Sequence, residues 1–173
     1  RESAAADLER FSMRYVELTL ARKILEAAIE RVRKEQQDPL VIRASQLFAT
    51  ATIGEFQGIE TDIDEDGEPV VIGIRQDGSS VRVAGMSDGT RDQLYLAFRL
   101  ASLELYARSA EPLPFIADDI LVHFDDPRSA ATLNLLAEFG RSSQVILFTH
   151  HRAIRNAAQA LVDQGLATLI DLT

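Results

Sequence analysis

The chain has 173 residues, 46% hydrophobic and 26% charged, the composition of a globular protein long enough to bury a core. Its 18 Lys and Arg against 27 Asp and Glu leave a net charge of −9, and only Lys23 and Lys34 of those cations are lysines. A phosphate-binding P-loop needs a lysine just after a glycine-rich turn, and neither lysine has a glycine near it, so no complete P-loop exists in this sequence.

Residues 1–38 contain no Gly, and Pro enters only at Pro39. Within them Leu8, Phe11, Tyr15, Leu18, Arg22, Leu25, Ile29 and Val32 alternate in steps of three and four, the spacing of a coiled-coil seam. A long amphipathic helix packed on its own domain fits too, with Val16, Leu20 and Ile24 widening the stripe, and periodicity leaves both open. Pro39 closes this segment, and a short helix is expected from about Leu40 to Ile53.

Three short strand candidates follow: Ile59 to Ile63, Val70 to Ile74 and Val81 to Val83. Asp64-Glu65-Asp66-Gly67 and Gln76-Asp77-Gly78-Ser79 supply the turn chemistry between them. The acidic turn is not a calcium loop, because a loop beginning at Asp62 reaches Gly73 where a glutamate is needed. From Arg91 helix and strand alternate. Asp92 to Ala107 is helical and apolar on most sides, with Leu94, Phe98, Ala101 and Leu105 its clearest stripe. Phe115 to Ala117 is a strand, Arg128 to Phe139 a helix, Gln144 to Phe148 a buried strand, Arg152 to Gln164 a helix and Ala167 to Leu172 a last strand. Strands separated by helices imply an α/β fold with a mostly parallel sheet and functional groups at the strand C-termini.

The absence of cysteine excludes a disulfide framework, a thiolate zinc site and a cysteine nucleophile. No apolar run approaches the roughly 18 residues of a membrane span and no signal peptide precedes the charged start, so the expectation is a cytoplasmic chain without a membrane partner. Beginning at Arg1, it reads as a fragment or processed piece of something longer. Residues 1–36 carry eight basic and seven acidic side chains, residues 37–90 three and ten, and residues 91–173 seven and ten. An acidic body of this kind repels a phosphate backbone and is not a free-standing DNA binder.

Three clusters can carry chemistry. Ser87-Asp88-Gly89 with Gln93 opens the buried helix, where backbone N–H groups, a hydroxyl and the helix dipole suit a phosphate oxygen. The same residues also fit an ordinary N-cap. Asp118-Asp119 ends a hydrophobic strand, placing one carboxylate to hold Mg²⁺ and the next to orient or deprotonate water. Adjacent strand residues face opposite sides, which suits two tasks. Asp125 and Asp126 add to an acidic edge that is self-repelling without a cation or basic partner. Thr149-His150-His151 follows the next strand, where a histidine can bond a phosphate oxygen or position water, or merely cap a turn. The adjacent histidines lack the i, i+4 spacing of a helical zinc site.

In this order and spacing the segments resemble the C-terminal half of an ABC-type ATPase head of the SMC-like group, close to the SbcC and YhaN-type ATPases. Ser87, Gly89 and Gln93 look like the signature motif, Phe115 to Asp119 like Walker B, Val122 to Asp125 like the D-loop, and Thr149-His150 like the switch histidine. The usual Leu-Ser-Gly-Gly is Met86-Ser87-Asp88-Gly89 here, and the usual Asp-Glu of Walker B is Asp118-Asp119.

The resemblance implies residues 1–38 as the end of a coiled-coil arm and 39–173 as the C-terminal lobe of the head, the Walker A lobe lying elsewhere. It implies ATP and Mg²⁺ as cofactors, with Asp118 on the metal, Asp119 on the attacking water and His150 near the γ-phosphate. Ser87 and Gly89 would reach the nucleotide of a second head, so that ATP bridges a homodimer. DNA and a nuclease subunit are the further partners implied. The alternatives are a non-catalytic assembly module pairing through the long helix, and a Mg²⁺ nuclease using Asp118, Asp119, Asp125 and Asp126.

Overall fold

The structure, a computed structural model, describes residues 11, 13–25, 38–64 and 66–172. The chain divides into two compact units, Arg1–Asp38 and Pro39–Thr173. In the first, residues 13–25 are helical, and the seam positions Phe11, Tyr15, Leu18 and Leu25 are all exposed, as are Val16, Leu20 and Ile24. Leu8, Ile29 and Val32, the remaining apolar seam positions, lie outside the described residues.

In the second unit, helix α1 spans Pro39–Ala51, with Pro39 as its first residue, where a missing N–H costs nothing and a fixed φ helps. Ala44, Leu47, Phe48 and Ala51 recur at helical spacing and are buried. The helix ends at Ile53 and Gly54, both left-handed with φ of 54° and 74°, and the Gly54 N–H returns to the Ala49 carbonyl at 2.9 Å. Strands β1 (Phe56–Ile63), β2 (Pro69–Arg75) and β3 (Ser80–Arg82) form an antiparallel sheet in that order. Its turns are made by aspartates: the Asp64 carboxylate accepts the N–H groups of Asp66 and Glu68, and that of Asp77 accepts the N–H and hydroxyl of Ser79. The Ser79 bonds hold Asp77 below the usual carboxylate range.

Helix α2 spans Asp88–Tyr106, four residues earlier than the apolar pattern suggests, because Ser87 caps it and Gly89 lies inside its first turn. Its buried face is Leu94, Leu96, Ala97, Leu100 and Ala101, rotated from the expected stripe: Phe98 and Leu105 are only partly buried. Strand β4 (Phe115–Asp118) pairs in parallel with β5 (Val145–Phe148), Asp118 opposite Phe148. Helix α3 (Asp126–Phe139) lies between them in sequence, and α4 (Arg152–Asp163) follows. The parallel sheet therefore has two strands among the described residues.

The expected strand from Ala167 to Leu172 does not form. A strand needs a partner for its backbone groups, and neither sheet supplies one here. Asp171 is instead tied to the Arg155 guanidinium at 3.2 Å.

One core joins α1, α2, β4 and the inner face of the antiparallel sheet. Phe48 and Phe56 lie 5.0 Å apart between ring centroids, and Phe115 meets Phe139 edge-on at 6.4 Å. Each such phenyl ring contributes about 1.5–3 kcal/mol by leaving water. Arg43 grips Glu104 through both carboxylate oxygens, which ties α1 to α2 and raises the Arg43 pKa. A smaller core of Leu121, Leu133, Ile154 and Leu161 seats α3 and α4. No described helix is long and apolar enough to cross a membrane.

Candidate functional site at the strand ends

Parallel pairing brings the C-terminal ends of β4 and β5 to one edge. Phe115 and Ala117 point inward and are buried, whereas Ile116 and Asp118 are exposed. The Asp118 carboxylate makes no hydrogen bond or ion pair among the described residues. Asp119 is not the next rung of a regular strand. Its backbone turns into the left-handed region at φ 48°, a conformation that aspartate tolerates better than most residues but that still costs energy. Strand alternation is therefore not what separates the two acids; the turn at Asp119 does so, while its N–H still donates to the Phe148 carbonyl at 3.0 Å.

The turn delivers the Asp119 carboxylate to the end of β5. Its Oδ1 accepts the Thr149 hydroxyl at 2.9 Å and, at 3.4 Å, the His150 N–H; its Oδ2 lies 2.5 Å from His150 Nδ1. The Thr149 hydroxyl first, then the His150 ring and N–H, hold Asp119 below the ordinary carboxylate range, against the opposing effect of burial. An ionised carboxylate only accepts, so the proton of this contact sits on Nδ1 of His150. His150 is 76% exposed. Asp119 is thus an acceptor that orients a donor, water included, more than a strong base. The His151 ring lies tilted against that of His150 with centroids 4.0 Å apart, and the backbone N–H of His151 donates to the Thr149 hydroxyl at 3.2 Å.

The residues at the start of α2 are placed differently. The Ser87 hydroxyl accepts the Thr90 N–H at 3.3 Å and shares a 2.9 Å contact with the Thr90 hydroxyl, so it is engaged as an N-cap. Gly89 is buried, and a Cβ at this position would lie 2.5 Å from the His123 carbonyl oxygen: glycine is needed here for the close approach of the β4–α3 connection. Gln93, expected at a nucleotide, is fully buried, and its Nε2 donates to the Ala51 carbonyl at 2.5 Å. It is a strut between α2 and the end of α1, with no face left for a ligand. Asp125 is exposed and caps α3 through the Arg128 N–H at 2.8 Å. Among the described residues Asp118, Asp119, Asp125 and Asp126 do not gather into a cluster able to hold a metal ion.

No family model matches the chain. It is 28% identical over 145 residues to the protein YhaN of Bacillus subtilis, covering 83% of this chain and 15% of that one. Over 124 residues it is 28% identical to the DNA double-strand break repair Rad50 ATPase of Thermococcus kodakarensis, covering 71% of this chain and 14% of that one. A solved structure from work on ATP-driven dimerization and DNA-stimulated activation of SMC ATPases matches with a TM-score of 0.57 and 20% identity, over 76% of this chain and 77% of that one. The Smc head domain of Pyrococcus furiosus, bound to the C-terminal domain of ScpA, matches with a TM-score of 0.55 and 22% identity, over 87% and 41%. The fold is that of an SMC-type ATPase head. The chain resembles a C-terminal fragment of such a head and spans about 15% of the length of these relatives.

Two residues of the second unit escape sequence reasoning. Arg128 is the basic partner that the acidic edge calls for: it pairs with Glu55 and Asp125, and its Nη1 donates to Thr90 and Gln93, each at 3.4 Å. It joins the start of α2, the α1–β1 turn and the cap of α3. The excess of acids from Asp118 to Asp126 was the available signal. Thr149, read only as a neighbour of the histidine, is the principal donor to Asp119.

Proposed function

We propose that this chain is the C-terminal portion of an SMC-like head that binds and hydrolyses ATP, and that it is inactive without a Walker A lobe. The observation that carries the proposal is the Asp118-Asp119 turn, clasped by Thr149 and His150 at the C-terminal edge of a parallel strand pair within an SMC-type fold. The residues fit half of a nucleotide site. Asp118 is an exposed carboxylate free to hold hydrated Mg²⁺, and Asp119 is ionised and positioned to orient water, while the sequence contains no P-loop.

Bound Mg²⁺ would neutralise charge on the transferring phosphoryl group. Asp119 would exchange its bond to His150 for one to the attacking water, freeing His150 Nδ1–H for a phosphate oxygen. Ser87 would turn from Thr90 to the nucleotide of a second head. Gly89 and Gln93 serve the signature segment from inside, by seating the β4–α3 connection and α1 against it. Asp125, at the end of that connection where it caps α3, would belong to the surface that meets the second head.

ATP would then bridge two heads of a homodimer. The name of the Rad50 relative supports a part in DNA double-strand break repair; recombination or chromosome maintenance, a cytoplasmic location and a nuclease subunit as a further partner complete the proposal. The second reading, an assembly module, is favoured by one observation: the apolar stripe of residues 11–25 is exposed.

The two readings separate in one experiment. The purified chain should give no ATP turnover above a no-protein control, and joining it to the P-loop lobe of the full-length protein should restore Mg²⁺-dependent hydrolysis. Turnover by the chain alone, or none after rejoining, overturns the proposal.

A further inference from the structure

Among the described residues, one group of histidine and acidic side chains brings its ligand atoms close enough to share a metal ion: Asp119, His150 and His151, one atom of each within 4.8 Å of the others. The ATPase reading employs Asp119 and His150 and gives His151 no task. Yet His151 Nε2 is buried and has no hydrogen-bond partner. The residue occupies the N-cap position of α4, and its side chain makes no capping bond. Burying a ring nitrogen without a partner is destabilising, and an orphan of this kind needs a reason.

We propose that Asp119, His150 and His151 form a site for a divalent first-row transition ion of the zinc class. Two imidazole nitrogens and one carboxylate oxygen are the donors of such ions, whereas Mg²⁺ prefers oxygen throughout. Three protein ligands leave a fourth position for water or a phosphate oxygen. The carboxylate is already oriented: its backbone is turned at φ 48° and its Oδ1 is fixed by Thr149, the outer-shell support that metal-binding carboxylates use.

Binding replaces a proton. The ion takes the place of the Nδ1 hydrogen between His150 and Asp119 Oδ2, the proton leaves to solvent, and the two atoms part from 2.5 Å to about 3 Å to admit metal bonds of about 2.0–2.2 Å. The site is separate from the Mg²⁺ position assigned to Asp118. If the ATPase reading holds, on which this consequence alone rests, the ion sequesters the two groups that orient water and phosphate and so blocks hydrolysis.

The test uses the 173-residue chain without nucleotide, which makes it independent of that reading. Calorimetric titration with ZnCl₂ should show one ion per chain, undisturbed by millimolar MgCl₂, and binding should weaken at least about tenfold in Asp119→Asn, His150→Ala and His151→Ala. Because His151 is partly buried, imidazole NMR of the unaltered chain provides a second readout. The sequence has only three histidines, and Zn²⁺ should perturb the rings of His150 and His151 before that of His123, which pairs with Asp92 at 2.7 Å. Unchanged affinity in a folded His150→Ala variant, or first perturbation at His123, overturns the proposal.

Discussion

At the start of α2, polar groups are taken up by partners in the chain itself: the exposed Ser87 bonds Thr90, the buried Gln93 holds the Ala51 carbonyl, and Arg128 meets Thr90, Gln93 and Glu55. At the ends of β4 and β5 the arrangement is the reverse. Asp118 is exposed, Asp119 has a left-handed backbone, His150 is mostly in solvent and a nitrogen of His151 is buried without a bond. A satisfied group has little left to offer a ligand, whereas strain and unmet bonding capacity reduce stability and persist where a ligand completes them. Apart from the exposed Ser87, whose hydroxyl can exchange Thr90 for a ligand, the first region is scaffold that positions a surface, and the second is where chemistry is available.

The largest effect expected from this contrast is in the scaffold. Gly89→Ala drives a Cβ into the His123 carbonyl, which should cost about 2–3 kcal/mol in urea unfolding; a loss under about 0.5 kcal/mol would show that the approach is not tight. Gln93→Ala leaves the buried Ala51 carbonyl unpaired and removes an acceptor from Arg128, at a cost of about 1–2 kcal/mol by the same measurement. A neutral result would return Gln93 to the pool of ligand residues. Smaller and opposite in sign, Ile53→Gly relieves a β-branched residue at positive φ on an exposed turn and should add about 1 kcal/mol.

The least effect on stability, and the most specific, is at Thr149. Asp119 has its folded pKa below the unfolded value of about 3.9, so its contribution is complete above that pH and is lost as pH falls through the folded value. Thr149→Val removes the leading cause and should move the Asp119 carboxyl midpoint upward in a carbon NMR titration. An unmoved midpoint would assign the depression to His150.

Most elements were legible because period and punctuation agree. α1, β1, β2, β4, α3, β5 and α4 lie within a few residues of their expected bounds, and the edge joining Asp118, Asp119 and His150 follows from strand ends in a parallel pair. What escaped depends on distant partners. Gln93 is buried by a carbonyl 42 positions away, and Arg128 reaches Glu55 across 73. The absent strand at 167–172 has the right composition and no neighbour to pair with. The turn at Asp119 is invisible to alternation, since only a left-handed backbone takes its carboxylate to β5.

The central claim is that Asp119 orients the water that attacks ATP. It is tested most directly by Asp119→Asn in the full-length protein, followed by single-turnover hydrolysis together with nucleotide-dependent head association. The account predicts that ATP still binds and holds heads together while hydrolysis falls by about a hundredfold or more. Hydrolysis at the unaltered rate, in a variant that is folded and has nucleotide bound, would contradict it.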